Sequence, residues 1–147
     1  MSTPNYSTET LDRIKKLERI QSMGINPFAT QYESTRQISE INATYRAKIN
    51  TETGDTSPFR SVEEVILGPT SDIAIAGRVV LHRSFGKICF ATIADGINRI
   101  QVLFSRDNCS INTGSEIKTE ISTETDPLTA YKFAEKLIDL GDFIGVR

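Results

Sequence analysis

Basic side chains are concentrated in one stretch of the sequence, residues 78–106. This stretch has a net charge of +4, whereas the rest of the 147-residue chain carries −6 and the whole chain −2. Its one acidic residue is Asp95, and its basic residues are Arg78, Arg83, Lys87, Arg99 and Arg106. Local basicity on an acidic background is the electrostatic footprint of a surface that contacts phosphate groups. The overall charge excludes a polybasic protein that binds nucleic acid by bulk charge alone.

Aromatic and amide side chains lie among these basic residues. Phe85 and Phe90 could stack on unpaired bases, and stacking contributes about 1–3 kcal/mol per base with little dependence on base identity. Gln101 can both donate and accept hydrogen bonds, as the recognition of a base edge requires. The combination suggests recognition of single-stranded nucleic acid. A strand phenylalanine often packs in a core, so the residues alone leave Phe90 open as a base platform or a core residue.

Signatures of catalysis are missing from the sequence. It has no G-x-x-x-x-G-K-[ST] phosphate loop and no G-x-S-x-G nucleophile elbow. The single histidine, His82, supports neither a catalytic triad nor a histidine-pair metal site, and we interpret it as an ordinary strand residue. We expect Cys89 to be a small buried thiol and Cys109 an exposed one. Their number and spacing indicate neither a disulfide scaffold nor a metal site.

The cysteine usage also favours a reducing compartment, and we expect a cytoplasmic protein. The sequence has no apolar run near the ~20 residues that span a bilayer. Its first residues lack the apolar centre of a signal peptide. We therefore expect no membrane partner.

The N-terminal part of the sequence is predicted to be helical. Apolar residues recur every three positions in Ser7–Met23, and Gly24 follows as a stop. The opposite face is basic, and a solvated face is a simpler interpretation than RNA contact for these four residues: Arg13, Lys15, Lys16 and Arg19. A second short helix is predicted for Ile38–Ile49, followed by a polar loop at Asn50–Pro58. Ser61–Glu64 has the pattern of a helix capping box.

From residue 72 the pattern changes to that of β-strands. We predict strands at Ile73–Val80, Ile88–Ile93 and Arg99–Phe104, in an antiparallel meander. The Asp95–Asn98 segment contains Asp-Gly, a hairpin signal.

The C-terminal part is predicted to contain a loop, a helix and a strand. Ser105–Thr125 is interpreted as a long polar connection that packs weakly. Asp126 and Pro127 are interpreted as the N-cap and first residue of a helix, and Gly141 as the glycine that follows its end. Asp142–Arg147 begins another strand.

This order of elements predicts a mainly β fold with helices. Three strands, a helix and a strand match the OB-fold, a five-stranded Greek-key barrel, with its last strand apparently missing. We expect an N-terminal helical arm and linker at residues 1–70 and an OB-fold domain at 71–147.

Several segments, taken together and in order, resemble a known family. They are Gly24–Phe28, Ala76–Arg78, His82–Phe90, Asn98–Gln101 and Leu140–Val146. The set is similar to the N-terminal region of class II lysyl-tRNA synthetases, whose OB-fold domain binds the tRNA anticodon. Segments 50–69 and 108–125 look longer than is usual in that family.

The resemblance implies roles for matching residues. Phe90 would stack on the central uridine of the anticodon, Gln101 would hydrogen-bond that base, and Arg83 would contact the same nucleotide or its neighbour. From charge alone, we add Lys87 and Arg99 as phosphate contacts. The family also uses a glutamate beyond the last residue of this sequence.

The resemblance further implies a parent enzyme, expected to be a homodimer, that charges the lysine tRNA using ATP and Mg²⁺. The catalytic domain is outside this sequence, so we expect the chain to need no cofactor, to bind the anticodon loop and to catalyse nothing alone. Two alternatives remain open. One is a free-standing OB-fold module that binds single strands without base preference, and the other is a protein-interaction module.

Overall fold

The computed structural model describes residues 4–43, 73–121 and 127–147. Its first element is helix α1, Thr8–Ser22, as the apolar spacing predicts. Ser7 is the N-cap, and its hydroxyl accepts a hydrogen bond from the backbone N–H of Thr10 at 3.2 Å. Gly24 follows the helix with a φ of 76°, a conformation that glycine adopts without strain.

The basic face of α1 is neutralised by acidic neighbours. Arg13 lies 3.7 Å from Glu9, and Lys15 lies 3.7 Å from Asp12. The ammonium group of Lys16 lies 2.6 Å from the carboxylate of Asp139. Exposed pairs of this kind contribute roughly 0–1 kcal/mol each. Their presence favours the interpretation of this face as an ordinary solvated surface.

Residues 38–43 are helical and form α2. Ile38, predicted to lie on the apolar face of this helix, is almost completely buried. The backbone N–H of Gln37 donates to the Glu40 carboxylate at 3.0 Å at the start of the helix. The rest of the predicted helix, the polar loop at 50–58 and the capping box at 61–64 lie outside the described residues.

The main sheet contains four strands in the order β3-β2-β1-β8. Its first three strands are β1 (Ile75–Phe85), β2 (Ile88–Ala94) and β3 (Arg99–Ser105). The fourth, β8 (Phe143–Val146), returns by a long connection to lie beside β1. Three successive strands with a fourth beside the first are the arrangement of a Greek key. The predicted strands and their meander are confirmed.

Strands β1 and β8 are antiparallel, with Ile75 opposite Val146 and Arg78 opposite Phe143. Along β1 the side chains at Ile75 and Val79 are buried, while Arg78 is exposed. Gly77 lies on the buried face, where a Cβ atom would lie 2.7 Å from the carbonyl oxygen of Ala94. The close approach of the two strands at this point therefore requires glycine.

The region between β3 and β8 contains more β-structure than the sequence predicts. A short hairpin pairs β4 (Ile111–Asn112) with β5 (Ile117–Lys118), and β6 (Glu120–Ile121) pairs with β7 (Leu128–Thr129). Ile121 is only 4% exposed, so the expectation of weak packing is wrong at this residue. Ile121 pairs with Leu128, seven positions later in the chain, and Leu128 is buried as well.

The last helix, α3, covers Ala130–Lys136 and begins later than predicted. Its N-cap is Thr129, whose hydroxyl accepts the backbone N–H of Lys132 at 3.2 Å. The assignment of Pro127 to the first helical position is wrong, because the next two residues belong to β7; Asp126 lies outside the described residues. Gly141 does not follow the helix end directly. It has a φ of 93° in the turn before β8.

These elements give a mainly β chain with an N-terminal helix, and the strand order and the position of α3 are those of an OB-fold.

By its contacts the chain divides into two compact units. The first contains Met1–Thr30, Arg83–Phe90 and Leu103–Asp139, and the second contains Gln31–His82, Ala91–Val102 and Leu140–Arg147. None of the helices in the described parts of the chain is long and apolar enough to cross a membrane.

Candidate nucleic-acid interface

The end of β1 and the turn that follows it, together called the turn at Arg83–Lys87, present two of the predicted basic residues. Arg83 and Lys87 are both exposed and lie on either side of Gly86, which has a φ of 61°. The phenol hydroxyl of Tyr131, from α3, donates to the carbonyl oxygen of Gly86 at 2.7 Å. The Tyr131 side chain is 1% exposed, so the turn is held by a rigid, buried group.

A second contact joins α3 to the same turn. The hydroxyl of Ser84 donates to Oε1 of Glu135 at 2.7 Å. Lys132 donates to the other carboxylate oxygen of Glu135. The hydrogen bond from Lys132, followed by that from Ser84, lowers the pKa of the Glu135 carboxyl. Glu135 therefore stays ionised, and accepts both hydrogen bonds, across the neutral range.

Phe90 lies on the face of β2 opposite the core. Its neighbours Cys89 and Ala91 are fully buried, and successive side chains of a strand point to opposite faces. The Phe90 ring is half-buried and meets the ring of Phe85 edge to face, with 6.2 Å between the centroids and 70° between the planes. Phe85 is 57% exposed. The structure therefore excludes a place in the core for Phe90 and leaves part of its ring open.

On β3, Arg99 and Gln101 are exposed and alternate with the half-buried Ile100 and Val102. The two polar side chains thus share one face of the strand. The side-chain amide of Asn42 donates to the carbonyl oxygen of Arg99 at 3.0 Å, which ties the end of α2 to the start of β3.

The turn before β3 forms as predicted. The backbone N–H of Asp95 donates to the carbonyl oxygen of Asn98 at 3.2 Å. In return, the Asp95 carboxylate accepts the backbone N–H of Asn98 at 2.9 Å.

Three basic residues of this region lack the ion pairs that several other cations form in the described part of the chain. Among the described residues, no acidic side chain forms an ion pair with Arg83, Lys87 or Arg99. By contrast, Lys118 pairs with Glu116 at 3.2 Å, and Lys132 pairs with Glu135. A cation without a carboxylate partner can bind phosphate without first breaking an ion pair, so these three residues suit phosphate contact.

The predicted site residues are divided between the two compact units. Arg83, Lys87 and Phe90 belong to the first unit, and Arg99 and Gln101 belong to the second. Sequence reasoning missed the roles of Tyr131 and Glu135. In the sequence Tyr131 has the position of an apolar-face residue of its helix, and no local signal indicates which carbonyl its hydroxyl meets.

The two thiols are not activated. Burial, followed by the negative charges of Glu135 and Cys109, raises the pKa of the Cys89 thiol. Burial also raises the pKa of Cys109, which is half-buried rather than exposed as expected. Both thiols are therefore protonated at neutral pH and are weak nucleophiles. His82 is a half-buried residue of β1, which agrees with its interpretation as an ordinary strand residue.

The sequence is similar to known enzymes along its whole length. A lysine–tRNA ligase from Chlamydia caviae is 36% identical over 149 residues, covering 100% of this chain and 25% of the relative. The lysine–tRNA ligase of Chlamydia felis is 35% identical over 137 residues, covering 93% of this chain and 23% of the relative. The chloroplastic/mitochondrial lysine–tRNA ligase of Arabidopsis thaliana is 26% identical over 133 residues, covering 90% of this chain and 17% of the relative. No protein-family model matches the chain.

The strand order and the helix define an OB-fold, and the relatives that the chain is similar to are lysine–tRNA ligases. The chain matches the N-terminal region of lysine–tRNA ligases, which confirms the resemblance found in its sequence. It spans about a quarter of the length of the first relatives that it matches.

Proposed function

We propose that this chain is the anticodon-recognition module of a lysine–tRNA ligase, an enzyme of protein synthesis that charges tRNA with lysine. The observation that carries the proposal is the exposed turn with Arg83 and Lys87. It is held by Tyr131, its cations form no ion pair with the carboxylates of the described residues, and it leads directly into the strand with Phe90. A fixed pair of cations next to a partly open aromatic ring is suited to an unpaired nucleotide.

Each residue then has a distinct role. Phe90 stacks on the central base of the anticodon, and Gln101 hydrogen-bonds the edge of that base. Arg83 contacts the same nucleotide or its neighbour, while Lys87 and Arg99 contact phosphates. The anticodon bases lie in a loop and can be splayed out, so binding breaks no base pairs of the stem.

The cations set the expected dependence on salt. Each phosphate contact on a single strand adds about 0.7 to the slope of log affinity against log salt concentration. The two phosphate contacts of Lys87 and Arg99 give a slope of about −1.4, and a contact of Arg83 with the phosphate of its nucleotide would bring the slope to about −2. A much steeper slope would indicate phosphate contacts from further cations, such as Arg78 or Arg106 of the same basic stretch.

The charging reaction itself belongs to the parent enzyme. Within residues 4–43, 73–121 and 127–147, no three histidine, cysteine or carboxylate side chains come together as metal ligands. We propose that the ATP and Mg²⁺ of the reaction bind to the catalytic part of the parent, a cytoplasmic homodimer. This chain would contribute recognition of the lysine tRNA, and we expect it to need no cofactor.

The proposal is tested by measuring the affinity of the chain for a lysine-tRNA anticodon stem–loop at two salt concentrations. A second stem–loop carries cytidine in place of the central uridine. Since the chain contains no tryptophan, a fluorescent label on the RNA gives an anisotropy signal free of intrinsic tryptophan emission. We expect a preference of about 1–3 kcal/mol for uridine, the cost of one mismatched polar contact.

The other outcomes identify the alternatives. Equal affinity for both loops, with a normal salt dependence, would indicate an OB-fold module that binds single strands without base preference. No binding at either salt concentration would favour a protein-interaction module. Both outcomes would contradict anticodon recognition by this chain.

A further inference from the structure

A groove in the second compact unit has the chemistry of a nucleotide site. Its walls include Arg78 from β1, Arg99 from β3 and Phe143 from β8, and small residues such as Ala76 and Ala94 also line it. All of these residues belong to the second unit. The roles proposed above use only Arg99 from this groove.

Arg78 and Phe143 form a preorganised flat surface on one wall. They lie directly opposite each other on β1 and β8. The guanidinium carbon of Arg78 lies 4.4 Å from the centroid of the Phe143 ring, in a cation–π contact. Phe143 is nevertheless 72% exposed. An exposed ring backed by a guanidinium plane is a stacking surface for a base, since both groups stack on nucleobases.

The charges of the groove favour an anion. Within the described residues, neither Arg78 nor Arg99 forms an ion pair. The one carboxylate in the lining is that of Asp95, and its Oδ1 accepts the backbone N–H groups of Ile97 at 3.3 Å and Asn98 at 2.9 Å. The groove is thus lined by two guanidinium groups, an exposed ring and a single carboxylate. That carboxylate already accepts hydrogen bonds from the backbone of the turn that contains it.

The groove also continues the surface of β3. Arg99 and Gln101 lie on the same exposed face of that strand, two residues apart, which is about 7 Å along a strand. A single strand whose base is read at Gln101 and whose phosphate is bound at Arg99 would place a neighbouring nucleotide at the groove.

We propose that this groove binds a second unpaired nucleotide of RNA, with its base on the Phe143–Arg78 surface and its phosphate at Arg99. The choice of RNA as the ligand rests on the function proposed above. The groove and the residues that line it are independent of which anticodon is recognised. A neighbouring loop nucleotide would thereby be held by residues other than Phe90 and Gln101.

The test compares Phe143→Ala with a matched control, Ile117→Ala. Ile117 is 69% exposed, belongs to the other compact unit and does not line the groove. Affinity for the labelled anticodon stem–loop is expected to fall about 5- to 150-fold in Phe143→Ala, the effect of losing one stacked base, and to stay unchanged in the control. Arg78→Lys keeps the charge but loses the flat group, so we expect weaker binding with the same salt slope. Thermal midpoints show whether the variants are folded.

A set of stem–loops, each with an abasic nucleotide at one loop position, locates the base. We expect one position, other than the central one, where base removal weakens binding to the unaltered chain but not to Phe143→Ala. At the central position, removal of the base should weaken binding to the unaltered chain but not to Phe90→Ala. If Phe143→Ala and Phe90→Ala both become insensitive to base removal at the same loop position, the proposal of a second nucleotide is overturned.

Further outcomes separate this proposal from the first. A Phe143→Ala variant that binds like the control overturns the groove site and leaves the uridine test to decide on anticodon recognition. A loss in Phe143→Ala without any uridine preference in the unaltered chain supports an RNA groove while anticodon recognition fails. Light scattering measures self-association of the chain. Self-association that Phe143→Ala abolishes, with RNA binding unchanged, would make the groove a protein contact and overturn the proposal.

Discussion

The hydroxyl of Tyr131 donates a 2.7 Å hydrogen bond to the carbonyl oxygen of Gly86, a residue 45 positions earlier in the chain. This contact joins a buried side chain of α3 to the exposed turn that carries Arg83 and Lys87. A turn of this kind moves readily unless its backbone groups are satisfied. The hydrogen bond therefore links the packing of the helix to the placement of two cations proposed to contact RNA.

Tyr131→Phe is expected to destabilise the chain and to weaken RNA binding. Losing this hydrogen bond costs about 0.5–1.5 kcal/mol of the free energy of unfolding. The freed turn would hold Arg83 and Lys87 less firmly, so affinity for the anticodon stem–loop should fall as well. Urea unfolding followed by circular dichroism measures the first effect, and anisotropy measures the second. In the control Tyr6→Phe, which alters a half-exposed phenol before α1, both quantities should remain unchanged. An unchanged affinity in Tyr131→Phe would show that the turn does not depend on this contact.

Glu135 should make stability depend on acid pH. Because its pKa is lowered in the folded chain by Lys132 and then Ser84, the stabilisation is fully present above the ordinary carboxyl value of 4.5. It is lost as the pH falls from that value through the lowered pKa of the folded state. Glu135→Gln should therefore be less stable than the unaltered chain at pH 7, with the difference shrinking in acid. Thermal midpoints between pH 7 and strongly acidic buffer test this. A constant difference across that range would contradict it, and the exposed Glu33→Gln serves as the control.

Arg83→Ala is expected to weaken RNA binding without loss of stability. The side chain is exposed and has no ion pair among the described residues, so its removal should leave the thermal midpoint nearly unchanged. If Arg83 contacts a phosphate, the salt slope should become shallower by about 0.7. The matched control is Lys15→Ala, which removes an exposed cation that is paired with Asp12. A large drop in the thermal midpoint of Arg83→Ala would instead make this residue structural.

Gln101→Ala should change discrimination more than affinity. The amide is exposed on β3, and its proposed partner is the edge of the central base. We expect the preference for uridine over cytidine to fall by about 1–3 kcal/mol, while the salt slope stays the same. The two stem–loops used above measure the preference directly. A variant that keeps the full preference would assign base recognition to another residue, and a large loss of stability would indicate a structural role.

Much of the fold could be predicted from local patterns. Alternation of apolar residues predicted β2 and β3, because a strand with one buried face repeats every two residues. The Asp-Gly dipeptide predicted the turn at Asp95–Asn98, since Asp95 satisfies the turn with its own side chain. Of the proposed site residues, all five were chosen from charge, residue type and resemblance, and their roles stay predictions.

Local patterns failed where contacts outside an element decide its structure. Pro127 looks like the first residue of a helix, yet pairing of Leu128 with Ile121 draws the next residues into a strand. The start of α3 therefore depends on a partner that no helix signal reveals. Exposure of Cys109 was predicted from its polar surroundings, and packing makes it half-buried instead.

By itself, the sequence determined the order of the main strands, the helix before them and the basic character of residues 78–106. These properties depend on residue types and on spacings within single elements. Only the tertiary structure decided that Tyr131 holds the turn at Gly86 and that Arg78 stacks on Phe143. The physical reason is that hydrogen bonds and stacking require two groups to meet in space. For residues far apart in the chain, that meeting is determined by how the strands and helices pack.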